Sequence, residues 1–151
     1  MRALSIRQPY TWAVLAGGKD VENRSRNIAG SYRGPVLIHA ALQLADLAGN
    51  EEVTELASVP VPTLGRPRAG VSAQLGGIVG MVDLVGVHHS DACSGSCSAW
   101  AHPTGFHLRL EHPVVFPRMV RCPGRLGLWS LAPDVRAGDG TVLQQVARWV
   151  R

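Results

Sequence analysis

A run of β-branched residues punctuated by glycine, GGIVGMVDLVGVHH at residues 76–89, constrains the fold of this chain more than any other stretch. β-branched residues favour extended backbone, and glycines inside such a run mark bends or close approaches of another part of the chain. The pattern therefore predicts one long, bent strand. Residues 106–116 alternate apolar and polar side chains, which is typical of a strand with one buried face. A sheet built around these two strands is expected.

Shorter elements flank these two strands. Strands are predicted at residues 4–6, 21–24, 36–40 and 127–132, and helices from Pro9 to the glycine pair at 17–18, at 42–58 and at 141–151. The second helix is expected to be interrupted near Gly49, because glycine weakens helix interiors. Residues 59–74 are rich in proline and predict a long loop. This mixture predicts an α+β fold, a small and mostly antiparallel β-barrel with flanking helices.

Composition limits the class of protein. The 151 residues are 46% hydrophobic and 17% charged, which indicates one globular domain rather than a disordered chain. The net charge of +4 comes almost wholly from arginine, since Lys19 is the only lysine, and arginine suits phosphate or carboxylate partners. Three cysteines are a poor basis for a disulfide framework, and no stretch has the ~20 apolar residues of a membrane span. A cytoplasmic protein without a cofactor is expected.

Charged side chains are concentrated in GGKDVENR at residues 17–24. Glu22 and Arg24 are two residues apart in a predicted strand, so their side chains point to one face. If Lys19 is buried, loss of water lowers its pKa and favours the neutral amine that acts as a nucleophile or base. Alternatively, Lys19 complements the preceding helix dipole, and Glu22 and Arg24 form a surface ion pair worth ~0–1 kcal/mol. The residues alone leave both interpretations open.

Five stretches carry a resemblance to a known family. The segment at 17–24 has the form G-x-K-x-x-E-x-R, LSIRQP precedes it at residues 4–9, and YRGPVLIHA follows at 32–40. With the strand at 76–87 and GRLGLWSL at 124–131, this order resembles the ASCH (activating signal cointegrator homology) domain, whose fold is similar to the PUA RNA-binding barrel. The resemblance implies a PUA-like domain over residues 1–133 and leaves residues 134–151 as a C-terminal extension, predicted to be helical.

The resemblance also implies a function. The expected role is a stand-alone domain that binds RNA or a nucleotide in a cleft between the sheet and a helix. The residues expected to line or surround that cleft are Arg7, Tyr10, Lys19, Glu22, Arg24, Tyr32, Arg33, Asp83 and Ser130. Tyr10 and Tyr32 are the candidates for stacking on a base, whereas Trp12 and Trp129 are predicted to lie in the core.

An enzyme is the second hypothesis. Some family members hydrolyse an acetyl amide on cytidine with a lysine, a threonine and a glutamate. Here Glu22 stands at the threonine position and Asp83 is the candidate for the distant carboxylate, which makes Lys19, Glu22 and Asp83 the candidate catalytic residues. Other bacterial members cut RNA, a reaction for which Lys19, Arg24, Tyr32 and Ser130 are candidates. A third hypothesis is a protein–protein adaptor that docks through Trp149 of the terminal helix.

Histidines and cysteines between the two long strands raise the question of a metal site. The zinc candidates are His88, His89, Cys93, Cys97 and His102. Because a second closely spaced cysteine pair is absent, ordinary thiols and surface histidines are favoured, and no metal is predicted. His39, at the end of a predicted buried strand, is expected to be a hydrogen-bonded histidine of the core or rim, with ligand contact as the alternative.

Overall fold

The computed structural model describes residues 1–58, 74–137 and 140–149. The strands are β1 (Arg2–Gln8), β2 (Val21–Arg24), β3 (Gly34–Leu44), β4 (Gly77–His89), β5 (Phe106–Arg121), β6 (Leu128–Ser130), β7 (Arg136–Ala137) and β8 (Gly140–Thr141). The helices are α1 (Tyr10–Ala16), α2 (Leu47–Leu56) and α3 (Val142–Val146). The predicted loop at 59–74 falls, apart from its last residue, outside the described residues.

Six strands form one sheet in the order β2-β5-β4-β3-β1-β6. Every neighbouring pair is antiparallel except β1 and β3, which run parallel. The long strand predicted at 76–89 is β4, which pairs with β5 on one side and with β3 on the other. The chain is thus a small α+β fold with a mostly antiparallel sheet, as predicted. Within the described residues β2 and β6 are open edges, so the predicted closure into a barrel is not confirmed.

Each face of the sheet carries a buried core. Along β1, Leu4 and Ile6 belong to one core and Ala3 to the other, because neighbouring residues of a strand point to opposite faces. Helix α1 covers the first face and buries Trp12, whereas α3 covers the second. Gly80 permits the close packing of α1 on β4, since a Cβ there would lie 2.7 Å from the side chain of Leu15.

The prediction of an interrupted helix over 42–58 is wrong. Leu42 and Leu44 belong to β3, and α2 runs without interruption from Leu47 to Leu56. Asp46 starts the helix, because its side chain accepts a hydrogen bond from the Gly49 N–H at 2.9 Å. Gly49 lies in the first turn and lets Tyr10 of α1 pack closely, since a Cβ there would be 3.0 Å from the Tyr10 ring.

The terminal helix is shorter than predicted. Helix α3 spans Val142–Val146, and residues 150 and 151 lie outside the described residues. Trp149 packs against Phe116 of β5 at a ring-centroid distance of 5.3 Å, which removes the observation on which the adaptor hypothesis rested. In the described parts of the chain, no helix has the length and apolar character needed to cross a membrane.

Candidate functional site

The charged segment at 17–24 connects helix α1 to the edge strand β2. Gly17 caps α1, and the Lys19 N–H donates to the Ala13 carbonyl at 2.9 Å, so the chain turns back over the helix end. Strand β2 then pairs with β5, which fixes the direction of its side chains. Sequence reasoning predicted this arrangement of helix, glycine stop and strand, and the structure confirms it.

Lys19 is enclosed by the protein. Its side chain is 1% exposed, and Nζ lies 3.9 Å from Glu22 Oε2. The rings of Tyr10 and Trp100 face the amine at centroid distances of 5.3 and 5.1 Å, which is within range of a cation–π interaction. Burial lowers the pKa of Lys19, against the opposing effect of Glu22 and of Glu52. Lys19 is therefore a buried amine, as the first of the two interpretations requires.

A second carboxylate lies beyond the Tyr10 ring. The Tyr10 hydroxyl donates to Glu52 of α2, and Glu52 Oε1 lies 2.8 Å from His102 Nε2. Burial and then Glu52 raise the pKa of Tyr10 well above its ordinary value. Partial burial acts to raise the pKa of Glu52, but the hydrogen bonds from Tyr10 and His102 outweigh it and lower that pKa. The carboxylate of Glu52 is thus held ionised near Lys19.

Arg24 takes the other oxygen of Glu22. Its Nη2 lies 3.2 Å from Glu22 Oε1 and donates to the Ser5 carbonyl at 3.1 Å. The sequence predicted that Glu22 and Arg24 share one face of a strand, and the structure confirms it. Arg24 Nε is buried and has no hydrogen-bond partner among the described residues. A buried donor without an acceptor is destabilising by ~1–3 kcal/mol, so this atom suits an acceptor from a ligand.

Arg24 borders a cleft of about 770 Å³ between β1, the start of α1, β2, β3 and the loop before β6. We call this space the cleft. Its lining residues are Ser5, Ile6, Arg7, Tyr10, Glu22, Arg24, His39, Ala41, Leu42, Gln43, Ala45, Asp46, Gly124, Arg125 and Leu126. Among them Arg7 and Arg125 are exposed, and Arg7 Nη2 donates to Gln43 Oε1 at 3.1 Å. The volume is in the range of small-molecule pockets.

His39 supplies a second unpaired atom to the cleft wall. Its Nε2 donates to the Cys122 carbonyl at 2.9 Å, and a carbonyl only accepts, so Nδ1 carries the lone pair. Nδ1 is buried without a partner among the described residues. Burial lowers the pKa of His39 and keeps the ring neutral. Gly124 is needed beside it, because a Cβ there would lie 2.7 Å from Nδ1 and 2.9 Å from Ser5 Oγ.

The structure brings together some of the residues that the sequence proposed. Four of them line the cleft: Arg7, Tyr10, Glu22 and Arg24. Lys19 is not among the lining residues of the cleft and lies behind Tyr10 and Glu22. The core assignments of Trp12 and Trp129 are confirmed by exposures of 5% and 7%.

Four other proposed residues lie away from the cleft lining. The Tyr32 hydroxyl donates to the Pro35 carbonyl at 2.7 Å, and Arg33 Nη1 donates to the carbonyls of Gly30 and Tyr32. Ser130 Oγ accepts from Arg2 at 3.0 Å. Asp83 pairs with His112 at 3.0 Å on the β4–β5 side of the sheet. These four residues lie in or near the motifs in the sequence, but they do not line the cleft.

Two cleft residues were missed or underrated by the sequence. His39 was weighed mainly as a core residue, and its place at the end of an apolar run was the signal for a polar atom at the rim. Arg125 lies in the GRLGLWSL motif, which by itself predicts only a strand. The sequence feature that could have indicated Arg125 is its neighbour Gly124, in the loop before β6. Because β6 pairs with β1, this loop passes the end of β1, where the cleft lies.

The zinc candidates divide into two groups. His89 pairs with Asp91 and His102 with Glu52, so neither faces the other candidates. His88, Cys93 and Cys97 converge with His107, and their ligand atoms all lie within 4.8 Å of one another. The alternation in β5 had placed His107 on the polar face, but the residue is fully buried. We call these four residues the His–Cys cluster.

A small α+β fold with a cleft at the start of its first helix, lined by three arginines and two carboxylates, is compatible with a nucleic-acid-binding module. The model of the ASCH domain matches residues 4–120 of the sequence. The chain therefore belongs to the ASCH domain family, as the motifs suggested, and the family supports a general role in RNA binding or a related function. A search of curated proteins found no match.

Proposed function

We propose that the protein binds single-stranded RNA, or a nucleotide unit of it, in the cleft. The observation that carries this proposal is the pair of buried, unpartnered atoms in the cleft wall, the Arg24 Nε donor and the His39 Nδ1 acceptor. The edge of a nucleobase offers acceptors and donors side by side, and unstacked bases of single strands present those edges to proteins. A base whose edge reached both atoms would satisfy them.

The cleft residues divide the recognition between base and backbone. Tyr10 supplies an aromatic ring on which a base stacks, and such stacking contributes about 1–3 kcal/mol per base. Arg7 and Arg125 are exposed at the cleft and are the candidates for phosphate contacts. Glu22 is fully engaged by Lys19 and Arg24, so its negative charge is balanced within the protein.

Lys19 acts in this proposal as a positioning residue. Its ammonium holds one oxygen of Glu22, and Glu22 in turn orients the guanidinium of Arg24. The amine itself is enclosed between two aromatic rings and does not line the cleft. This differs from the expectation that Lys19 contacts RNA directly.

Hydrolysis of RNA or of a modified nucleoside is the second candidate function. The lowered pKa of Lys19 favours it, because a neutral amine is nucleophilic and basic. It requires that the amine reach the cleft past Tyr10 and Glu22, and that another group replace Asp83, which pairs with His112 elsewhere. Incubation of the protein with labelled RNA and with acetylated cytidine separates the candidates, since only an enzyme forms product.

A matched pair of arginine variants tests binding in the cleft. Arg7→Ala and Arg33→Ala each remove one exposed guanidinium, but only Arg7 lines the cleft. We expect Arg7→Ala to weaken binding of a labelled single-stranded RNA several-fold and to reduce the salt dependence, −d(log K)/d(log[salt]), by about 0.7. Arg33→Ala should change neither. Fluorescence anisotropy at several salt concentrations measures both quantities, and equal effects of the two variants would contradict the proposal.

A further inference from the structure

The His–Cys cluster lies where strands β4 and β5 separate into the insert of residues 90–105. His88 of β4 and His107 of β5 are direct partners in the strand register. Their rings meet edge to face at a centroid distance of 5.1 Å, with His88 Nε2 and His107 Nδ1 3.3 Å apart. Cys93 and Cys97 of the insert fold back onto this histidine pair.

The separations within the cluster fit a tetrahedral zinc site. Cys93 Sγ lies 3.2 Å from His88 Nε2 and 3.4 Å from His107 Nδ1, and Cys97 Sγ lies 3.3 Å from His107 Nδ1. Zinc bonds of about 2.3 Å to sulfur and about 2.0–2.1 Å to nitrogen place neighbouring ligand atoms roughly 3.3–3.8 Å apart. The four separations known, including the 3.3 Å between the two imidazole nitrogens, lie close to this range, and all four ligand atoms lie within 4.8 Å of one another.

Ordinary hydrogen bonds account for only part of this convergence, such as the Cys93 thiol that donates to the Ser90 carbonyl at 3.6 Å. His107 Nε2 lies 2.8 Å from the His102 carbonyl, so Nε2 carries the proton and Nδ1 has one lone pair. Three heavy atoms, Cys93 Sγ, Cys97 Sγ and His88 Nε2, lie within 3.4 Å of that Nδ1. That lone pair accepts from only one of the three at a time, whereas a cation at the centre is contacted by all four residues at once.

The backbone supports the same arrangement. Ser94 and Gly95 have φ values of 50° and 69°, which turn the chain sharply between the two cysteines. The Ser96 N–H donates to the Cys93 carbonyl at 2.9 Å and closes the turn. The bond from His107 Nε2 to the His102 carbonyl fixes the ring orientation, as outer partners do for metal-binding histidines.

We propose that His88, Cys93, Cys97 and His107 bind one zinc ion. Two thiolates and two imidazoles complete a tetrahedral set of protein ligands, which leaves no open position for a substrate and makes the site structural. The metal fastens the insert to the ends of β4 and β5. This site does not depend on RNA binding, and the cleft and the cluster have no residue in common.

The fastened insert forms the outer wall around Lys19. Trp100 faces the Lys19 amine at 5.1 Å, and its carbonyl accepts from Asn23 Nδ2 of β2 at 2.8 Å. His102 continues the wall by pairing with Glu52 of α2. The insert of residues 90–105 contains little helix and no strand. The bound ion would therefore hold the insert in place, as a larger hydrophobic core does elsewhere. Loss of zinc should therefore open the wall around Lys19.

Metal content and cobalt spectroscopy test the proposal directly. Protein purified under reducing conditions without chelator should contain one zinc per chain. After exchange into cobalt, the absorption spectrum should show thiolate-to-cobalt charge transfer and the d–d bands of tetrahedral coordination. Cys97→Ser and His107→Ala should lose stoichiometric metal, whereas Cys122→Ala and His89→Ala, a thiol and a histidine outside the cluster, should retain it.

The wild-type protein provides a measurement that does not depend on variants that fold. Chelation should speed hydrogen exchange of backbone amides in residues 90–105 while exchange in β1 and β3 changes little. Absence of zinc and of cobalt binding in reduced wild-type protein would overturn the proposal and leave ordinary thiols. Full metal retention in both Cys97→Ser and His107→Ala, or a metal other than zinc in the purified protein, would also overturn it.

Discussion

Lys19 and Arg24 share the carboxylate of Glu22 but stand in contrasting surroundings. The Lys19 amine is enclosed by Glu22 and two aromatic rings, with Glu52 nearby. Arg24 has one satisfied face toward Glu22 and Ser5, and its buried Nε lacks a partner at the cleft. The Lys19 charge already has protein partners, so its role is to stabilise the fold. The Arg24 Nε atom has no protein partner in the described parts of the chain, so it can bind a ligand. Within the segment at 17–24, Lys19 therefore stabilises the structure, and Arg24 is the candidate for ligand binding.

The largest expected effect is on stability, from Lys19→Ala. Lys19→Ala leaves a cavity between two aromatic rings and removes the buried ammonium from one oxygen of Glu22, so we expect the free energy of unfolding to fall by about 3 kcal/mol. RNA affinity of the folded variant should change little. Lys19→Met, which fills the space without the charge, should lose less. Denaturant unfolding and RNA titration of the same samples measure both quantities. A large loss of RNA affinity with unchanged stability would show that Lys19 binds RNA and does not stabilise the fold.

The sign of the pH dependence sharpens this prediction. Because burial lowers the pKa of Lys19 below its ordinary 10.5, the unfolded chain holds more protons than the folded protein between the two values. The stability of the wild type relative to Lys19→Met should therefore rise as the pH rises through that window. A flat difference would indicate an amine exposed to solvent.

The next effect is on affinity, from Arg24→Lys. Lysine keeps a positive charge near Glu22 but lacks the planar Nε–H donor. Since hydrogen bonds to charged groups contribute ~1.5–3 kcal/mol, we expect RNA affinity to fall about tenfold to a hundredfold. Stability should fall less than in Lys19→Ala. Anisotropy titration beside thermal unfolding tests this expectation, and unchanged affinity would remove Arg24 from recognition.

A smaller effect is expected from the ionisation of His39. Protonation converts Nδ1 from an acceptor into a donor, so RNA binding requires the neutral ring. Burial lowers the pKa of His39 below 6.5. Affinity should therefore hold as the pH falls to that ordinary value and then decline as the pH passes through the lowered pKa. His39→Phe should bind several-fold more weakly near neutral pH and lack this decline; an identical pH profile would contradict the assignment.

Much of the fold could be predicted because the signals are local. The β-branched run at 76–89 and the glycine stop after α1 depend on backbone preferences that neighbouring residues do not override. The helix near Gly49 was mispredicted because a tertiary contact, the packing of Tyr10 on α2, decided the role of that glycine. Closure of the sheet into a barrel depends on whether the two edge strands, β2 and β6, meet, and a local sequence pattern does not predict this.

The cleft residues that the sequence predicted, Arg7, Tyr10, Glu22 and Arg24, all lie within one short segment of the chain, residues 7–24. Glu22 and Arg24 follow from the period of a strand. His39 of β3 and Arg125 of the loop before β6 line the cleft, whereas Asp83 of β4 does not. The order of the strands in the sheet decides which residues meet, and a local sequence pattern does not give that order. His107 joins the His–Cys cluster for the same reason, since the β4–β5 register places it opposite His88. Only the knowledge that residues 76–89 and 106–116 pair could have revealed it.

Nuclear magnetic resonance of the two unpartnered atoms tests the central claim most directly. The protein, labelled with ¹⁵N, is titrated with a short single-stranded RNA while the Arg24 Nε–H and His39 Nδ1 signals are followed. Both signals should shift and saturate with the same dissociation constant, and the signals of Tyr32, Arg33 and Ser130 should stay in place. Shifts confined to those three residues, with Arg24 and His39 unchanged, would contradict the account.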